Sequence, residues 1–131
     1  MYLKLQTFLK ESKANFSIKY DSERVDKNYT VVLFDTEKVE SVCSGDTDSI
    51  DIIENKIMEN LNVKIDFTKI NQLFYEMKAK LLITKINYFI VGIYQTKGSL
   101  EYRISIFGEI VNIRETFSSL EELERFIKNY E

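Results

Sequence analysis

Apolar residues return along the chain with two periods, and its elements are marked where one period gives way to the other. Leu5, Phe8 and Leu9 at i, i+3, i+4 spacing predict a helix over Tyr2 to Ala14, ended by Asn15. Phe16, Ile18 and Tyr20 then alternate with Ser17 and Lys19, as in a half-buried strand. Asp21 to Asn28 predicts a polar loop, Tyr29 to Phe34 a second strand, Asp35 to Glu37 a turn and Val39 to Cys43 a third strand. Ser44-Gly45-Asp46-Thr47 leads into a helix that buries Ile50, Ile53, Ile57 and Leu61. After the connection Asn62 to Ile65 the pattern restarts. Ile70, Leu73, Phe74 and Met77 form a helix face, with Asp66 or Thr68 as its cap. The run Leu81 to Tyr94, interrupted by Thr84, Lys85 and Asn87, reads as strand, and Thr96 to Ser99 as a turn. Strands over Glu101 to Phe107 and Ile110 to Phe117 flank a turn at Gly108-Glu109, and Ser118 caps a closing helix.

The two halves echo each other. Thr47 to Ile57 (TDSIDIIENKI) and Phe117 to Ile127 (FSSLEELERFI) match at a shift of 70, pairing Ser49 with Ser119, Ile53 with Leu123 and Ile57 with Ile127. Tyr29, Val31, Leu33 and Phe34 match Tyr102, Ile104, Ile106 and Phe107 at 73. Glu11, Lys13, Ala14, Phe16 and Ile18 fall on Glu76, Lys78, Ala79, Leu81 and Ile83 at 65. Three matches in the right order predict a tandem duplication of an α-β-β-β-α unit, over residues 1–63 and 64–131. Each unit is expected to be a three-stranded antiparallel sheet with two helices on one face, an α+β fold. The alternative is two unrelated α+β halves. The connection has none of the composition of a flexible linker, and a unit of this size is marginal alone, so the two should pack as one globule, by edge-strand pairing or helix stacking.

Composition narrows the chemistry. With no histidine, the usual general base and commonest zinc ligand are missing, and one cysteine cannot build a thiolate metal site. Four isolated glycines make no phosphate-cradling loop. A non-enzymatic protein without cofactor or metal is expected. The lone Cys43 fits a reducing compartment and reads as a small core residue; no stretch reaches a membrane span or a signal-peptide core, so a cytoplasmic, non-membrane protein is expected.

The clearest surface signal is acidic. Asp35, Glu37, Glu40, Asp46, Asp48, Asp51 and Glu54 face only Lys38 within their stretch. One reading is that the acids near the helix start satisfy its dipole while the rest solvate a surface; another is a patch that meets a basic groove. A divalent-metal site is a third, but the spacing is not that of an EF-hand loop. Tyr88, Tyr94 and Tyr102, on or beside strands of the second half, either contact a partner or pack between the halves.

Two family resemblances follow. Leu5, Phe8 and Leu9, then Phe16 to Tyr20, Tyr29 to Leu33 and Ser44-Gly45-Asp46 resemble the double-stranded-RNA-binding domain in order α-β-β-β-α. The lysines with which that family grips phosphates are replaced by Asp48, Ser49 and Asp51, and by Ser118, Ser119 and Glu121, so direct nucleic-acid binding is not expected. Tyr29, Val31 and Leu33, the acidic hairpin, Val42, Ser49-Ile50 and Ile57 are similar to small acidic anti-CRISPR proteins of phages. That resemblance implies an inhibitor whose carboxylates occupy the basic groove of a nucleic-acid-processing protein such as an RNA-guided Cas nuclease, in a bacterial cytoplasm. The second reading is a divergent RNA-binding-domain-like module used for protein contact or homodimerisation.

Overall fold

The computed structural model describes residues 2–81 and 85–131. The chain runs β1 (Leu3–Lys4), α1 (Leu5–Ser12), β2 (Ala14–Asp21), β3 (Tyr29–Asp35), β4 (Glu40–Thr47) and α2 (Ile50–Leu61). It continues through β5 (Ile65–Asp66), α3 (Thr68–Leu81), β6 (Ile86–Thr96), β7 (Ser99–Gly108), β8 (Asn112–Phe117) and α4 (Leu120–Asn129). The fold is α+β. Its strands do not form two separate three-stranded sheets. They form one six-stranded antiparallel sheet in the order β4-β3-β2-β6-β7-β8, beside a two-stranded parallel ribbon of β1 and β5. The reason is burial. A half-chain sheet leaves an apolar edge uncovered, and pairing β2 with β6 removes both inner edges at once.

One face of the sheet carries the core. Phe16 and Ile18 of β2, Val31 and Leu33 of β3, Phe89, Val91 and Ile93 of β6, and Ile104 and Ile106 of β7 are all buried and, by register, share a face. The helices cover it with Leu5 and Leu9, Ile53 and Ile57, Leu73, Phe74 and Met77, and Leu123 and Ile127. Side chains of both halves fall into a single buried cluster. Helix α3 is its keystone. Phe74 stacks on Phe89 with ring centroids 4.8 Å apart and lies 6.1 Å from Tyr29.

Several boundaries differ from the sequence expectation. The first helix starts at Leu5 because Leu3 and Lys4 are drawn into the β1–β5 ribbon. Strand β4 reaches Thr47, since Ser44, Gly45, Asp46 and Thr47 all pair with β3. Gly45 fits there because helix α2 presses on it: a Cβ would lie 2.8 Å from the Ile53 side chain. Leu81 ends α3 and does not start a strand, so its match with Phe16 fails. The match of Ile83, with Leu82 and Thr84, lies outside the described residues. Leu61 is exposed, because α2 has turned its last residue off the buried face. Cys43 is half-buried against the core.

The closing helix is secured at both ends. Ser119, its N-cap, accepts from the Glu122 amide at 3.2 Å, while the Glu122 carboxylate accepts from the Ser118 amide at 3.2 Å. At the other end the Lys80 ammonium, reaching across from α3, donates to the carbonyls of Ile127 (2.5 Å), Lys128 (2.7 Å) and Tyr130 (3.1 Å). A cation at a helix C-terminus satisfies orphan carbonyls and opposes the negative end of the dipole. Lys80→Met should therefore cost about 1–3 kcal/mol, by analogy with hydrogen bonds to charged groups. A lower urea midpoint at unchanged slope would show it; an unchanged midpoint would mean the three bonds contribute nothing.

Candidate functional site

The acids of the sequence do not form one cluster. Strand β4 is one of the two edge strands of the six-stranded sheet, the other being β8, and carboxylates sit at its two ends. At the hairpin end, Asp35 Oδ1 accepts from the amides of Glu37 (2.9 Å) and Lys38 (3.0 Å), which shapes the turn. Glu37 reaches Lys13 at 3.1 Å with both side chains well exposed, and Glu40 is exposed at the start of β4. Val39, between these acids, is 73% exposed and holds φ at +54°, a left-handed conformation that costs a β-branched residue strain.

At the far end, Asp46 accepts from the Thr30 hydroxyl at 2.6 Å and meets Arg24 Nη1 at 3.1 Å. The hydroxyl first, and the guanidinium after it, hold its carboxyl below the usual aspartate range. Asp48 accepts from the Lys27 amide at 2.6 Å, tying the β2–β3 loop to the start of α2. Asp51 is exposed in the first turn of α2 and takes a hydrogen bond from the Ser49 hydroxyl. Two groups of surface carboxylates thus flank about 20 Å of strand whose outer edge is unpaired, at the usual rise per residue.

Glu54 leaves this group. It is 5% exposed, turned into the space between α2 and α3, with Oε1 accepting from Asn71 Nδ2 at 2.9 Å. Burial pushes its carboxyl up to about 7, against the lowering effect of the Asn71 bond and with a small addition from Asp51. Its place was written in the sequence: Glu54 follows Ile50 by four residues, on the same stripe as Ile53 and Ile57.

Comparison with protein-family models, curated proteins and solved structures returns no match.

The three tyrosines part company in the same way. Tyr102 is 7% exposed, in phase with Ile104 and Ile106 on the helix-covered face, and packs with the core. Tyr88 and Tyr94 project from the opposite face. Tyr94 lies flat over Gly92, where a Cβ would sit 2.6 Å from the ring, and its hydroxyl bonds to Ser17. The Arg103 guanidinium stacks on the same ring, 4.3 Å from its centroid. Tyr88 packs against Phe107 at 4.8 Å, with the Lys19 ammonium 4.7 Å from its centroid. Arg114 covers Phe107 at 5.0 Å. These cations went unread in the sequence. Arg103 was detectable as the residue that alternation places outward on β7.

Among the described residues no three His, Cys, Asp or Glu side chains are gathered so as to hold a metal ion, and no helix is long and apolar enough to cross a membrane.

Proposed function

We propose that the chain is a non-enzymatic binding protein that engages a basic groove of a nucleic-acid-processing protein, in the manner of a small phage anti-CRISPR inhibitor. The observation that carries this reading is the free β4 edge with carboxylates at both ends: Asp35, Glu37 and Glu40 at one, Asp46, Asp48 and Asp51 at the other. The outer side of an edge strand offers a row of backbone donors and acceptors, and flanking carboxylates favour arginine- and lysine-rich partners. The strained, exposed Val39 supports the same edge, because strain of this kind concentrates at contact sites.

Asp48→Lys with Asp51→Lys should abolish capture of the partner at low salt while the chain stays folded. The defect should shrink as salt rises, since exposed charges are screened over about 8 Å at physiological ionic strength. The isosteric Asn pair separates charge from structure, because the Asn side-chain oxygen can still accept from the Lys27 amide and the Ser49 hydroxyl. If a fully folded Asn pair keeps its affinity at low salt, the acidic edge is not the binding surface.

We infer further that the chain arose by duplication of an α-β-β-β-α unit. Ser49 and Ser119 are both helix N-caps following the third strand of their half. An offset of 73 carries Phe16, Ile18 and Val31 onto Phe89, Val91 and Ile104, and 70 carries Gly45 and Thr47 onto Glu115 and Phe117, with pairings retained. The difference between the offsets falls in the β3–β4 and β7–β8 turns, where length change is tolerated.

A further inference from the structure

Between α2, α3 and the β1–β5 ribbon lies a cavity of about 410 Å³. Tyr2, Met58 and Phe67 give it apolar walls, and Glu54, Asp66 and Asn71 give it polar ones. Its polar groups are out of balance. Glu54 Oε1 is satisfied by Asn71, but the buried Glu54 Oε2 and Asn71 Oδ1 have no hydrogen-bond partner among the described residues. Asp66 takes up the amide and hydroxyl of Thr68 at the start of α3. No lysine or arginine lines the cavity. Two buried acceptors on adjacent side chains, one of them a carboxylate oxygen, therefore lie at this cavity with no donor bonded to either among the described residues.

We propose that this cavity binds an alkylguanidinium group, supplied by an arginine side chain or by a free alkylguanidine, with its N–H groups on Glu54 Oε2 and Asn71 Oδ1. The choice follows from the deficit. A guanidinium has only donors, set in a planar fork that reaches two neighbouring acceptors, and its charge answers the carboxylate. Being weakly hydrated, it gives up less on burial than an ammonium does. Its alkyl stem suits Met58 and Phe67; the Tyr2 ring at the mouth already has the Lys64 ammonium 6.0 Å from its centroid. A divalent ion fits less well, since Asn71 contributes a single oxygen and Asp66 is turned to its own helix. The competing occupant is a proton on Glu54 Oε2, donated to Asn71 Oδ1. Asp51 on the same helix, Tyr75 on α3, Asp66 of β5 and Tyr2 are the titratable groups around it, and the Lys64 ammonium, 6.0 Å from the centroid of the Tyr2 ring, is a positive charge beside the mouth that bonds to neither acceptor. This site stands independently of the acidic β4 edge.

The test is an amide-resolved NMR titration of the full chain at pH 8 with four probes: agmatine, N-acetylarginine methylamide, cadaverine and the uncharged pentylurea. Both guanidinium probes should shift the Asn71 side-chain amide saturably, cadaverine at least tenfold more weakly, and pentylurea not at all. Lowering the pH from 8 to 6 should weaken guanidinium binding as Glu54 takes up a proton. E54Q should fold, because the new amide can donate to Asn71 Oδ1, and should lose binding at least tenfold. Tighter binding of the blocked arginine would identify a protein side chain as the source; tighter binding of agmatine would identify a free small molecule. The proposal is overturned if neither guanidinium probe moves the Asn71 amide, if pentylurea binds equally well, or if E54Q binds like the parent. It is also overturned if the Glu54 carboxyl carbon reports a proton still bound at pH 8.

Discussion

Phe74→Ala is expected to remove about 3–5 kcal/mol of stability, the usual cost of deleting a fully buried aromatic side chain. That is a large share of the roughly 5–15 kcal/mol by which domains are stable. The ring has no exposed surface and touches strands from both halves, Phe89 on β6 and Tyr29 on β3. Its loss should therefore weaken the molecule as a whole. Urea unfolding, followed by far-ultraviolet circular dichroism and by tyrosine fluorescence, should remain one transition with a lower midpoint. If the variant loses only one half, with the other unfolding at the parental midpoint, the shared core is not a cooperative unit.

Glu54→Gln is expected to stabilise the protein at alkaline pH. Its carboxyl titrates near 7 when folded, above the value near 4.5 of a free glutamate. Between those values the folded state binds more protons than the unfolded one, so stability falls as pH rises through that window. Above pH 7 the full penalty for an ionised, buried carboxylate applies, on the order of 3 kcal/mol for a shift of this size. Glutamine carries no such penalty, and its amide supplies the donor that Asn71 Oδ1 lacks. Denaturant titrations at pH 5 and pH 8 decide the matter. The parent should lose stability between them from this group while the variant does not, and parallel pH profiles would show that Glu54 is solvated after all.

Much of this architecture was legible because helix and strand periods alternate cleanly. The stripe Ile70, Leu73, Phe74, Met77 and the alternation Tyr29, Val31, Leu33 appear as buried faces just where the spacing puts them. Strand β4 was read too short for a physical reason. Ser44, Gly45 and Asp46 have loop propensities, and only pairing with β3 makes them strand. The β1–β5 ribbon could not be read at all, since two-residue pairings across some 60 positions leave no local trace. Charge was legible as composition but not as geometry. The seven carboxylates looked like one patch, yet β4 separates them into two groups and the helical stripe takes Glu54 inside. The partner side chains that define the interior site, Asn71 above all, carried no signal in the sequence, because their role depends on which helix packs against which.

The join between β2 and β6 has a consequence for how the protein assembles. The Ile18 and Val91 positions face each other at the centre of the sheet, and every pairing across that join links segments far apart in the chain. The hairpins β2-β3-β4 and β6-β7-β8 involve near neighbours and are expected to form first, whereas closing the join requires a long loop to be organised. Until it closes, each half exposes one inner strand edge. Because the two inner strands pair antiparallel, the β2 edge left open on one molecule is also complementary to the β6 edge left open on another. Concentrated refolding should therefore yield intertwined dimers that exchange halves, while dilute refolding yields monomers. The device that completes the sheet is the same one that lets two chains complete each other.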